Sequence, residues 1–391
     1  MQIHPLIDSS EQLAALCARL AQSPFVAVDT EFMRENTFWP ELCLIQIADA
    51  NEAAAIDPMA SGIDLTPLLD LMTDNEDVLK IFHAGSQDIE IIYNLTGKTP
   101  HPLFDTQIAA MALGQGEQVG YSNLVDSWLG ITLDKGARFT DWARRPLDKR
   151  QIDYAIGDVT HLSTIFPKML EKLRKLDRGG WLDQEMERLA DPANYAADPA
   201  QAWKRIKVPG RKPELLGRLK ALAAWREGEA RGKNLPRGRI VKDETLADIA
   251  AHPPKSQTDL AKVRGLSPTW AANDIGGRMM MALAEAKPMP ADEMPVRDDR
   301  KPGLGKDGAL VADLLRLLLK IRSREINVAA RLLARSDELE LLAAGQRTGL
   351  AMLEDWRFEQ FGRDALNLVE GKLGFAVREG RLLMTRTEGL E

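Results

Sequence analysis

Cysteine is almost absent: the 391 residues hold only Cys17 and Cys43, with no C-x-x-C pair. That excludes a disulfide framework and a cysteine-based zinc site. Long apolar runs are missing too. The leucine-rich stretch at 310–319 is broken by Asp313 and Arg316, whereas a bilayer-crossing helix takes about 20 apolar residues. Met1–Leu20 lacks a basic start before an apolar core and carries Asp8 and Glu11, so the expectation is a cytoplasmic chain without a secretory signal. A basic excess is also lacking, with 51 Lys+Arg against 58 Asp+Glu and a net charge of −7. At 45 % hydrophobic and 28 % charged, the composition excludes collagen, long disorder and small disulfide scaffolds, and the length suits two or three domains.

The average charge hides an asymmetry. Residues 1–170 hold 24 acids and 11 bases, a net of −13, whereas 203–242 hold 13 bases and 3 acids, a net of +10. An acidic body is joined to a basic collar, and each needs its own explanation.

Residues 1–181 alternate helix-like and strand-like patterns, the mark of an α/β domain. A helix at 9–21 precedes the strand Phe25–Phe32. Two more apolar runs, Leu42–Ala48 and Ala53–Ile56, sit at hairpin distances and complete an antiparallel meander. A helix near 65–73, a buried strand Val78–Phe82 and a helix from Ser86 follow, then helices at 106–113, 121–129 and 148–176. Residues 182–209 and 288–306 are proline-rich and read as linkers. The segments 210–287 and 307–391 have helical periods and weakly repeat each other, Gly277-Arg278-x4-Leu283-x-Glu285-x-Lys287 matching Gly362-Arg363-x4-Leu368-x-Glu370-x-Lys372. Two small helical domains are expected.

The acidic body contains a constellation. Asp29 and Glu31 lie two apart on a strand, so both project from one face. On a solvated edge strand such a pair means little. Here Phe25–Val28 make an apolar run that suits a central strand, and carboxylates at the end of such a strand call for a hard divalent cation. Asp88 falls in the first turn of the helix after Gly85, with Ser86 as the expected N-cap. Tyr154 and Asp158, at i and i+4, share one helix face. Together three elements supply four carboxylates and a phenol, which is what a two-metal phosphoryl-transfer site requires.

These residues resemble the three motifs of the DEDD exonuclease superfamily in its tyrosine branch, and most closely the ribonuclease D family. The similarity extends to Val-Asp-Thr-Glu-Phe (28–32), Leu-Ile-Gln-Ile-Ala (44–48), Phe-Asp-Thr-Gln-Ile-Ala (104–109), Leu-Asp-Lys (133–135), Asp-Trp-x3-Pro-Leu (141–147) and Tyr-Ala-x2-Asp-Val (154–159). The two helical segments are similar to helicase-and-RNase-D C-terminal (HRDC) domains, so nearly the whole chain is covered. The resemblance implies a ribonuclease H-like α/β exonuclease domain with a mixed sheet, followed by two small all-α domains. It further implies 3′→5′ trimming of RNA, notably tRNA precursors, with release of nucleoside 5′-monophosphates.

Carried over by that resemblance, Asp29, Glu31, Asp88 and Asp158 ligate two divalent ions, Mg²⁺ or Mn²⁺, and Tyr154 orients the attacking water. With an ordinary pKa near 10 the phenol is a poor full base at neutral pH, so activation of the water falls to the cations. One departure stands out: Gln87 precedes Asp88 where the family usually carries an acid, and it reads as tuning. His161 follows Asp158 by one turn and reads as a packing or capping residue, and Asp105 as the N-cap of the helix it precedes, with the orienting of a group behind the ligands as its alternative role. Expected RNA contacts are Lys135, Arg138, Arg144, Arg145, Lys149 and Arg150 near the site, and Lys204, Arg205, Lys207, Arg237 and Arg239 in the collar. Alternatively, the collar pairs with the acidic body. A monomer suits a ring closed by domains of one chain. Two other readings stay open: an RNA-binding scaffold with an inert nuclease fold, and an exonuclease acting on single-stranded DNA.

Overall fold

The computed structural model describes residues 1–134, 136, 140–196, 198–208, 210–295 and 307–386. Its centre is a six-stranded mixed sheet built from β1 (Gln2–Ile3), β2 (Phe25–Met33), β3 (Glu41–Ala48), β4 (Glu52–Ile56), β5 (Leu79–Phe82) and β6 (Leu103–Asp105). The spatial order is β1-β4-β3-β2-β5-β6. β2, β3 and β4 form the expected antiparallel meander. β5 lies parallel to β2, and β6 parallel to β5. β1 and β6, two and three residues long, are too short to show a period and escape a reading based on one.

Helices α1 (Ser10–Leu20), α2 (Thr66–Thr73), α3 (Ser86–Thr96), α4 (Thr106–Ala112), α5 (Tyr121–Leu129) and α6 (Lys149–Lys175) surround the sheet. α6 starts at a capping box, in which Asp148 accepts from the Gln151 N–H and the Gln151 side chain returns to the Asp148 N–H. From there it lies across β2, β3 and β4. Ser86 is not the N-cap of α3: that position is Gly85, without a side-chain cap. Gly85 is required by space, since a Cβ there would come within 2.5 Å of the Phe82 Cβ.

The stretch 182–209 is more than a linker. It contains α7 (Asp183–Ala190) and short 3₁₀ turns. Leu182, Met186 and Tyr195 pack into the sheet's core, whereas Ala202, Trp203 and Ile206 pack into the first helical body. Residues 288–295 also begin packed: Met289 is buried, and its N–H donates to the Pro213 carbonyl. The rest of that expected linker, 296–306, lies outside the described residues.

The two helical segments largely repeat one order of elements. The long helix α8 (Pro213–Gly232) is followed by Arg237–Ile240, Asp243–Ala251, Gln257–Leu260, Pro268–Ala272 and Asp274–Glu285; the second copy runs Gly308–Glu325, Ala330–Leu333, Ser336–Ala343, Ala351–Leu353 and a helical stretch over 355–369, so the first copy has one short helix more. Gly276 and Gly362 each sit where a Cβ would come within 2.2 Å of a backbone carbonyl, that of Ala271 or Met352. In the first copy the glycine with this packing duty is therefore one residue earlier than the repeat suggests. The second copy differs in ending on an antiparallel hairpin, β7 (Leu373–Arg378) and β8 (Arg381–Arg386), which its helical period does not announce.

Both helical bodies are anchored to the sheet domain. Phe38, in the β2–β3 loop, is buried in the first body's core, and Asn234 Oδ1 accepts from the Phe38 and Trp39 N–H groups at 3.1 and 3.2 Å. In the second body, Val328, Ala329 and Leu332 join the sheet domain's core. Trp356 stacks on Trp181 at 4.2 Å. The buried Arg357 donates to the Leu332 carbonyl, Gln184 and Glu185.

Candidate active site

The site forms where β2 outruns β5. β2 pairs with β5 only through Phe25–Ala27, while its pairing with β3 continues to Met33, so Asp29–Glu31 project beyond the end of β5. A bulge between Glu31 and Phe32 re-aims the strand there. α6 crosses the same face and brings Asp158. One carboxylate oxygen from each of Asp29, Glu31 and Asp158 lies within 4.8 Å of the other two. Asp88 stands outside that triplet, buried in the first turn of α3, and its carboxylate accepts from the Thr30 hydroxyl. Tyr154, one turn before Asp158, packs its ring near Trp142, 6.2 Å between centroids.

The electrostatics fit a cation. Burial first, then the charges of Asp88, Asp158 and Glu31, push the Asp29 carboxyl well above the ordinary carboxylate range. Burial likewise pushes Asp88 up to about 6, with the Thr30 hydroxyl pulling the other way. Acids placed this close repel each other until a divalent ion with oxygen preference joins them.

Several supports are invisible in the motifs. Ala84 takes the left-handed conformation at φ +57°, and Asp105 accepts from the Ala84 and Gly85 N–H groups at 3.2 and 2.8 Å. Asp105 does cap α4, as its position predicts, but it also pins the loop that launches Asp88. Tyr121 shares its O–H between the carbonyls of Gly157 and Asp158, bracing α6 where Asp158 leaves it. Nothing in the sequence beyond an aromatic at a helix start marks that role. His161 lines, with Leu133, Tyr154, Gly157 and Asp158, a cleft of about 510 Å³, and burial lowers its pKa, which favours the neutral imidazole.

The expected RNA contacts divide. Lys135 and Arg138 lie outside the described residues. Arg144 is exposed. Arg145 is turned inward, pairing with both Asp57 oxygens at 2.7 Å and donating to the carbonyls of Cys43 and Trp142. Lys149 pairs with Asp153, and Arg150 with Asp134. In the collar, Lys204, Arg205, Lys207 and Arg239 are exposed. Arg237 instead pairs with the buried Glu227 and covers the Phe38 ring at 4.4 Å. Other collar bases, Arg226 and Arg231, pair with Asp243 and Glu227, so these ion pairs lie within the helical body.

Comparison with known proteins agrees with this geometry. Residues 5–174 match the family described as a 3′-5′ exonuclease, and residues 216–283 match the HRDC domain. A ribonuclease D of Sphingobium indicum is 74 % identical over 388 residues, covering 99 % of this chain and 100 % of the relative. The chain belongs to the ribonuclease D family. The ribonuclease D of Zymomonas mobilis is 63 % identical over the same coverage. The crystal structure of Escherichia coli RNase D, described as an exoribonuclease involved in structured RNA processing, superposes with a TM-score of 0.76 at 30 % identity, covering 94 % of this chain and 98 % of that one. The enzyme is accordingly a 3′→5′ exoribonuclease, a phosphodiester hydrolase whose exonuclease fold implies divalent metal use and whose substrate is RNA. Among the described residues, no helix is long and apolar enough to cross a membrane.

Proposed function

We propose that Asp29, Glu31, Asp88 and Asp158 hold two divalent cations, Mg²⁺ or Mn²⁺, and that the enzyme trims RNA 3′ ends, tRNA precursors among them, as a cytoplasmic monomer. The observation that carries this reading is the convergence of Asp29, Glu31 and Asp158 within 4.8 Å. When bound, the cations lower the pKa of a water and stabilise the oxygen that leaves. The chain's own residues do the rest. The carboxylates set where those ions sit. Tyr154, on the face of α6 that carries Asp158, presents its hydroxyl to the water and fixes its line of attack. Attack at phosphorus with loss of the terminal 3′-oxygen releases a nucleoside 5′-monophosphate and leaves a shortened chain with a free 3′-hydroxyl.

Residues 1–181 form the exonuclease domain in this reading, and 210–287 and 307–391 two HRDC-like domains. The shared order of the first three helices, and the like packing of Gly276 and Gly362, support the second copy. Arg144, Lys204, Arg205, Lys207 and Arg239, all exposed, offer the RNA backbone cationic contacts. Both helical bodies are tied to the sheet domain of one chain, which supports a ring closed within a monomer. The test is a tRNA precursor with a 3′ trailer beside DNA of the same sequence. Expected are 3′ shortening of the RNA and nucleoside 5′-monophosphates. Release of 3′-monophosphates, or equal loss of the DNA, would overturn the reading.

A further inference from the structure

Gln46 sits on β3 directly opposite Asp29 on β2. Opposed residues of an antiparallel pair share a face of the sheet, so the amide lies on the side where Asp29 meets α6. Gln46 is fully buried. Among the described residues neither its Nε2 nor its Oε1 has a hydrogen-bond partner. A buried orphan amide is costly, and an apolar side chain of similar size would remove that cost. Of its neighbours across the strands, Asp29 on one side carries a carboxylate and Ala55 on the other only a methyl group.

We infer that Gln46 is a positioning residue for metal uptake: in the loaded site its Nε2–H donates to Asp29 and holds that carboxylate in its ligating orientation. The choice of glutamine has a chemical reason. A lysine or arginine there would neutralise Asp29 and compete with the cation, whereas a neutral amide steadies the carboxylate and leaves its charge for the metal. The inference rests on the proposed metal ligation.

The test uses the full-length enzyme and Gln46→Met, which keeps length and removes the donor. Mg²⁺ and Mn²⁺ binding is followed by calorimetry and by the metal-induced rise in melting temperature. The metal-free variant should melt at or above the wild type, and its half-saturating Mn²⁺ concentration should rise about tenfold or more. Half-saturation within twofold of the wild type would overturn the inference. So would a metal-free variant melting well below the wild type, since that would mean the amide is already satisfied within the fold. In the wild type, Mg²⁺ should shift the Gln46 side-chain amide resonances, and unmoved resonances would contradict the inference independently. Wild-type enzyme that takes up neither metal would sink the ligation itself, a distinguishable failure that takes this inference with it.

Discussion

The Thr30 hydroxyl donates to the Asp88 carboxylate, so the residue between the two strand carboxylates bonds the one that α3 supplies. That bond favours the charged form of Asp88 against the burial that pushes it up to about 6. Thr30→Val keeps the shape and removes the donor, so the Asp88 pKa should rise further. The acid limb of the pH–rate profile should move to higher pH, with activity falling most between pH 5 and 7. An unmoved limb would show that the bond has no part in ionising the site.

Metal and stability should be linked, with a definite sign. Asp29 and Asp88 have raised pKa values in the folded protein, while an unfolded chain releases these protons near pH 4. The metal-free fold therefore loses stability as pH rises, from about 4 through about 6 for Asp88, with Asp29 adding a loss of the same sign. Divalent cations should restore it, raising the melting temperature at pH 7 in proportion to occupancy. Asp29→Asn should melt above the metal-free wild type at pH 7 and gain little from Mg²⁺. A variant that melts lower would contradict the crowding of carboxylates as the source of strain.

Tyr154→Phe should lower kcat about 10²-fold or more while the Kd for RNA stays within about twofold. Single-turnover cleavage and filter binding on the same preparation separate the two. A variant cutting at the parental rate would remove the phenol from the reaction.

The exposed and the paired bases should behave differently. A triple Lys204, Arg205 and Lys207→Ala variant should bind RNA with a shallower salt dependence, by roughly 0.7 in the log–log slope for each phosphate of a single strand that is no longer neutralised. Arg237→Ala should instead leave Glu227 buried beneath a loosened Phe38 loop, at a cost on the order of 2 kcal/mol. Denaturant titration reads that destabilisation, and the salt slope should hardly move.

The readable parts of this chain are local. Asp29-x-Glu31 can be placed on a central strand because alternation and an apolar run occur within eight residues, and the Tyr154/Asp158 pair because helical spacing puts both on one face. β6 escapes because three residues carry no period, and although Asp105 could be read as orienting a group near the site, its partners Ala84 and Gly85 could not be named, since they lie some twenty positions earlier. The basic run at 144–150 looks uniform, yet Asp57 claims Arg145 from far along the chain. Asn234 meets Phe38 across 196 positions, a contact that spacing alone does not encode. α7 is concealed by the prolines on its flank. Gln46 is legible only as part of a motif, since its lack of a partner is a property of the packed interior.

Cleavage of a 5′-labelled single-stranded RNA by wild type and Asp29→Asn, each with Mg²⁺, Mn²⁺ or EDTA, tests the central claim most directly. A ladder of products shortened from the 3′ end should form with wild type and metal, and be absent with EDTA or the variant. Wild-type cleavage persisting in EDTA, or Asp29→Asn cutting at the parental rate with metal present, would contradict a carboxylate-held, metal-dependent exonuclease.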